Sequence, residues 1–224
     1  GDSMSSIASR NGVSLSALER ANPQIHNPNV IYPGEVVHIP GTGSTGPVHN
    51  PGPVKGKRIT AETCVHFLHF CDADYERLGF LIKCNPAIKT AADRDAITRA
   101  LAEGRIDVLA TDHAPHLLEE KAQHYDQAPS GLPLVQFALQ AALQRVTEGR
   151  LTLERVVETV CHAPATLFDV RDRGFLREGY AADLVLVDPR KPHTVTRDEV
   201  LSKCGWSPFE GETFSHSIVA TFVN

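Results

Sequence analysis

Residues 41–57 constrain this chain more than any other stretch. They run Gly-Thr-Gly-Ser-Thr-Gly-Pro, then Asn-Pro-Gly-Pro and Lys-Gly-Lys. Such a run has few apolar groups to offset the cost of ordering its backbone, so it reads as a flexible linker. Any core must therefore form on one side of it or the other. The 224 residues divide into a small module at 1–40 and a larger region from 58 onward. That size suits one mid-sized domain or two smaller ones.

Composition closes off several classes. Hydrophobic residues make up 42% and charged residues 22%, as in an ordinary soluble globular protein. The net charge of -5 gives no basic footprint, so no nucleic-acid partner is expected. No apolar run approaches the roughly 18 to 20 residues that cross a bilayer, so no membrane partner is expected either. No secretory leader is read at the start of the chain. The five cysteines (Cys64, Cys71, Cys84, Cys161 and Cys204) are odd in number and form no C-x-x-C pair. Reduced, mostly buried thiols of a cytosolic protein fit that spacing better than a disulfide scaffold or a zinc knuckle.

The N-terminal module reads as helix, helix, strand. Ser5 to Ser9 enter a short helix with Ile7 and Ala8 inward, and Gly12 closes it. Ser14 caps a second helix with Leu15, Leu18 and Ala21 at helical spacing, and Asn22-Pro23 stops it. An alternating strand over residues 35–39 follows Tyr32-Pro33-Gly34. These residues, with Asp2-Ser3-Met4 in front of them, closely resemble the lysin motif (LysM), a small βααβ module that binds N-acetylglucosamine-containing glycans. The family's first strand, before the Gly-Asp, is expected to be missing, which leaves 36–39 without a hairpin mate. The resemblance implies a glycan groove between Asp2, Ser3 and Met4 on one side and Pro23, Gln24 and Ile25 on the other. No aromatic platform marks it, and Met4 and Ile25 suit ordinary packing equally well.

Beyond the linker the pattern becomes βα. Residues 59–65 read as a strand ending at His66, and a helical stretch covers about 73–78. A short apolar segment follows at 80–82. Thr90 caps a helix over 91–102, with Ile97, Ala100 and Leu101 among its apolar positions, and Gly104 ends it. Residues 106–110, Ile-Asp-Val-Leu-Ala, read as a buried parallel strand running directly into Thr111-Asp112-His113-Ala114-Pro115-His116. In α/β barrels the chemistry sits on the loops at the carboxyl ends of strands. An aspartate there is placed to ligate a metal and to take a proton from metal-bound water. By itself the Asp-His pair is equally what a capped turn with a solvated histidine looks like.

The longer pattern weighs against the bland reading. Residues 60–66, 83–89 (Lys-Cys-Asn-Pro-Ala-Ile-Lys), 107–116, 128–133, 161–165, 173–179, 182–187 and 203–209 occur in the order and spacing of dihydroorotases. From about Ile59 to Asn224 the chain is identified as a member of that family. The resemblance implies an α/β fold: the last two strands and closing helices of a metal-dependent (β/α)8 amidohydrolase barrel over 58–170, and part of its small β-rich domain over 171–224. It implies that Asp112 is metal ligand and catalytic base. It further implies that Asn85 and His116 contact the dihydropyrimidine ring or its carboxylate, and that Pro129 to Gly131 belong to the loop closing over substrate. His66 matches a histidine outside the usual ligand set, and His69, His124, His162, His193 and His216 have no ligand spacing.

The expected cofactor is zinc, and the expected substrate pair is dihydroorotate and N-carbamoyl-aspartate. The family builds its metal site mainly on earlier strands, which carry an H-x-H pair, a bridging carboxylated lysine or aspartate, and two further histidines. The chain is therefore expected not to complete the site alone. The alternatives are a glycan-binding module with an inert tail, or a complementing fragment whose missing strands come from another chain. The amidohydrolase part points to the cytoplasm and the LysM-like part to the cell wall. That pairing suggests a fusion or a truncated gene.

Overall fold

The computed structural model describes residues 3–23, 25, 27, 37–39 and 59–223. The linker read at 41–57, and with it Asp2, Gln24 and the start of the strand expected at 35–39, lies outside the described residues. Val37 to Ile39 are described and join no ladder.

The N-terminal module holds two short helices, α1 (Met4–Arg10) and α2 (Leu15–Arg20). Ser3 caps α1 reciprocally with Ser6: Ser6 N–H donates to Ser3 Oγ, and Ser3 N–H donates to Ser6 Oγ. Ser14 caps α2 by accepting from Ala17 N–H at 3.2 Å. Each cap satisfies a backbone donor that the first turn leaves open. Met4, Ala8 and Leu18 form the core, with Ile7, Val13, Ile25, Val37 and Ile39 packed around them. Leu15 falls on the outer face and is exposed. Asn22, 1% exposed, donates to the carbonyls of Leu18 and His38 and accepts from His38 N–H, so one side chain joins α2 to the 37–39 segment.

The C-terminal region opens on β1 (Glu62–Cys64), shorter than the strand expected over 59–65. Ile59 is 83% exposed, and Val65 with His66 already belong to α3 (Val65–His69). Two single-turn helices, Asp72–Asp74 and Gly79–Ile82, flank α4 (Tyr75–Leu78). The apolar 80–82 segment is thus helical, held by the burial of Ile82 in the core. Helix α5 (Ala91–Ala102) has the expected bounds, with Thr90 and Asp93 forming its capping box. Gly104, with φ of 75°, lets the chain turn back into β2 (Val108–Ala110).

β2 pairs with β1 in parallel, with Glu62, Thr63 and Cys64 opposite Val108, Leu109 and Ala110. Asp107, 2% exposed, accepts from Ala61 N–H at 2.9 Å and fixes that register at its start. Helix α6 (Leu118–Lys121), α7 (Ala138–Thr147), α8 (Leu153–Val157), a π turn at Glu158–His162 and α9 (Ala163–Leu167) follow. The final part is antiparallel. β3 (Leu184–Asp188) pairs with β6 (Ser217–Phe222), and β4 (His193–Thr194) with β5 (Thr213–Phe214). Phe209 and Phe214 from this part enter the same core as Leu68, Phe70, Leu109 and Phe137. Burial of apolar surface, at about 25 cal/mol per Å², makes that shared core a tie between the helical and antiparallel parts.

Candidate active site

The site begins where β2 ends. Asp112 has φ of 47°, a left-handed conformation that aspartate tolerates better than most residues, so the chain turns sharply as it leaves the strand. His113 secures the turn: its Nδ1 accepts from the backbone N–H groups of Leu134 (2.9 Å) and Val135 (3.1 Å). A parallel bridge between His113 and Leu132 runs alongside. That nitrogen is committed to the 132–135 segment, which makes His113 a structural part of the loop.

Asp112 and Asn85 line one cavity of about 550 Å³. Its wall also includes Glu62 and Cys64 from β1 and Lys89, Asp93 and Arg94 from around the start of α5. The structure thus brings two of the expected site residues, 27 residues apart in sequence, to one cavity. Burial, then the carboxylates of Asp112 and Glu62, push the Cys64 thiol up to about 12. Burial also pushes Cys84, next to Asn85, up to about 11, and its Sγ–H donates to the Pro86 carbonyl. Both thiols are protonated near neutral pH and lack the thiolate that nucleophilic chemistry needs.

His116, Pro129 and Gly131 form a second cluster beside the first. The His116 ring meets the Ser130 carbonyl through Nε2 at 3.2 Å, and its backbone carbonyl accepts from Trp206 Nε1–H at 2.8 Å. A Cβ at Gly131 would lie 2.6 Å from the Ala114 carbonyl oxygen and 3.0 Å from His116 Nε2. Only glycine lets this loop close so tightly onto the 111–116 segment. His66 is fully buried, with no hydrogen-bond partner for either ring nitrogen among the described residues. Burial lowers it to about 4, partly offset by Asp112, so the ring is neutral near pH 7.

Two contributors escaped sequence reasoning. Lys121 is 1% exposed and bonds the carbonyls of Lys83, Pro129 and Gly131. Trp206 reaches His116 from 90 residues away in sequence. No local signal marks either one; Lys121 follows two glutamates and reads as a solvated helix end. On the N-terminal module, Ser3 is engaged in its capping box and Met4 is 1% exposed in the core. Pro23 is exposed, and Ile25 packs against that core.

A catalytic zinc takes three protein ligands and keeps a position for water. Among the described residues no three His, Cys, Asp or Glu side chains converge into such a set. Asp112 offers a single carboxylate, and His113 already uses its Nδ1. The described residues therefore do not fit a complete zinc site.

Comparison with known proteins joins these parts. The model described as the LysM domain matches residues 1–40, and that of the amidohydrolase family matches residues 38–224. The chain is similar to a dihydroorotase of Halobacterium salinarum, 41% identical over 152 residues, covering 68% of this chain and 36% of the relative. A dihydroorotase of Endomicrobium trichonymphae is 34% identical over 190 residues, covering 84% and 45% respectively. Among solved structures, the L-hydantoinase (dihydropyrimidinase) from Arthrobacter aurescens superimposes with a TM-score of 0.71 at 31% identity, over 75% of this chain and 38% of that one. The chain spans less than half the length of these relatives.

Proposed function

The chain belongs to the amidohydrolase family, and from that premise we propose that its region 59–223 carries the proton-transfer and substrate-facing wall of a dihydroorotase-type cyclic amide hydrolase. The reaction is reversible hydrolysis of dihydroorotate to N-carbamoyl-aspartate. Water adds to the ring amide carbon, the ring carbon–nitrogen bond breaks, and the nitrogen leaves with a proton. Asp112 accepts the proton from the attacking water and returns it to the leaving nitrogen. Asn85 holds the ring by hydrogen bonding, while His116 and the backbone of Pro129 to Gly131 face its carboxylate side. The observation that carries this reading is the cavity shared by Asp112 and Asn85 at the carboxyl end of the parallel pair.

Zinc is the metal this reading expects, with Asp112 as one of its ligands. The other ligands have to come from outside the described residues. Another polypeptide supplying the earlier strands of such a barrel is therefore a partner in this proposal, and the chain alone is expected to be inactive. The test mixes the full chain with a dihydroorotase fragment carrying those strands, adds zinc, and measures dihydroorotate turnover. Turnover is expected only in the mixture, and Asp112→Asn should lower it by roughly 10² to 10⁴-fold. A stable, zinc-loaded association with no turnover would sink the proposal.

A second reading is favoured by the LysM match at 1–40. In it the N-terminal module binds an N-acetylglucosamine-containing glycan, such as chitin or peptidoglycan, through residues 2–4 and 23–25. Retention of the full chain on insoluble chitin or peptidoglycan is expected; passage through both unretained rejects it. The amidohydrolase part belongs in the cytoplasm and the glycan reading at a cell wall. Among the described residues no helix is long and apolar enough to cross a membrane.

A further inference from the structure

Lys121 ends a four-residue helix and yet is 1% exposed. Burying an ammonium costs several kcal/mol unless its donors are matched. Here they are: Nζ donates to the carbonyls of Lys83 (2.9 Å), Pro129 (2.9 Å) and Gly131 (3.0 Å). Three donors meet three acceptors, which saturates the group. Burial lowers the ammonium to about 8, with Cys84 opposing and Lys83 adding to the shift, so it remains charged near neutral pH.

The acceptors belong to two segments that local structure leaves independent. Lys83 lies two residues before Asn85, which lines the cavity. Pro129 and Gly131 lie in the loop pressed against Ala114 and His116. A direct backbone tie between them is the Gly131 N–H donating to the Lys83 carbonyl at 3.0 Å, the same oxygen that Lys121 engages. Neighbouring Lys83 reinforces the arrangement by donating to the carbonyls of Tyr125 and Ala128. Of these contacts, the Lys121 ammonium bonds carbonyls of both segments at once.

We propose that Lys121 is a positioning residue for the substrate side of this site: it clamps the Asn85 arm to the Pro129–Gly131 loop and so fixes where Asn85 and the loop backbone stand relative to each other. The clamp follows from geometry alone; its service to a substrate rests on the functional reading above. A site held within a fraction of an ångström depends on such support.

The test is nuclear magnetic resonance and hydrogen exchange on the full chain. In the wild type, the Lys121 Nζ signal should exchange slowly with solvent. In Lys121→Met, exchange of the Gly131 amide should accelerate at least ten-fold, while the Ala141 amide in α7 keeps its protection. A general loss of stability would move both. With zinc and the complementing dihydroorotase fragment added, millimolar dihydroorotate should shift the Asn85 side-chain amide in the wild type and not in the variant. An Nζ signal exchanging at the free-lysine rate overturns the clamp, and this arm decides the matter even if the variant fails to fold. Unchanged protection at Gly131 in a folded variant overturns it too. Selective loosening with no dihydroorotate response in the wild type supports the clamp and counts against the functional reading.

Discussion

The two described regions are held together by different means. The N-terminal module rests on three buried side chains and on many contacts within a few residues of each other, such as the serine caps, with Asn22 reaching His38, 16 residues on. The region from 59 onward rests on bonds that leap across the sequence. Asp107 reaches Ala61, Arg155 reaches the Leu101 and Ile106 carbonyls, Lys121 reaches Lys83, and Trp206 reaches His116. Local contacts specify elements cheaply because little chain entropy is lost in forming them. Long-range contacts place elements against one another, and they bring Asn85 to the cavity that Asp112 lines. The candidate site lies in the region where the sequence separations are large.

The contrast breaks most sharply at Phe209. Its ring is fully buried and lies 5.0 to 6.5 Å from the rings of His69, Phe70, Phe137 and Phe214, so it pins the antiparallel part to the helices. Phe209→Ala should cost the C-terminal region about 3 to 5 kcal/mol. Residue-resolved hydrogen exchange should show that loss from 59 onward and leave α1 and α2 unchanged. An equal loss in both helices would mean that the two regions share a stability their separate cores do not predict.

Acid offers a second and gentler probe. Burial, with Arg145 adding to it, lowers His69 from 6.5 to about 3. The unfolded state therefore binds more protons than the folded state between those values. Stability contributed by the neutral ring is complete above about pH 6.5 and falls as pH drops, by roughly 1.4 kcal/mol per pH unit for this one group. Helices α1 and α2 contain no histidine and lack this source of acid sensitivity. Denaturant melts between pH 7 and pH 4 should lose stability in the C-terminal region, and His69→Phe should flatten that dependence. An unaltered slope in the variant would assign the acid loss to other groups.

Much was legible without coordinates. The helix over 91–102 was readable because Thr90 and Asp93 form a cap from residues three apart, and the parallel strand into Asp112 because a short apolar run meets a polar turn. The turn over 111–116 is legible as a motif, and the structure places its Asp112 on the wall of a cavity. The strand expected over 59–65 exceeds the one observed, because the partner strand supplies only Val108 to Ala110. Pairing length depends on the neighbour, and no window of sequence contains both.

The sequence by itself determined the α/β class, the helix caps, the family and the position of Asp112, all encoded in near neighbours or in ordered motifs. Tertiary structure alone decided that Asn85 and Asp112 share a cavity, that His113 is spent on backbone amides, and that Lys121 is a buried clamp rather than a solvated helix end. The physical reason is the same in each case. A side chain's protonation, burial and partners are set by groups brought near by folding, and for Lys121 the farthest of these lies 38 residues away.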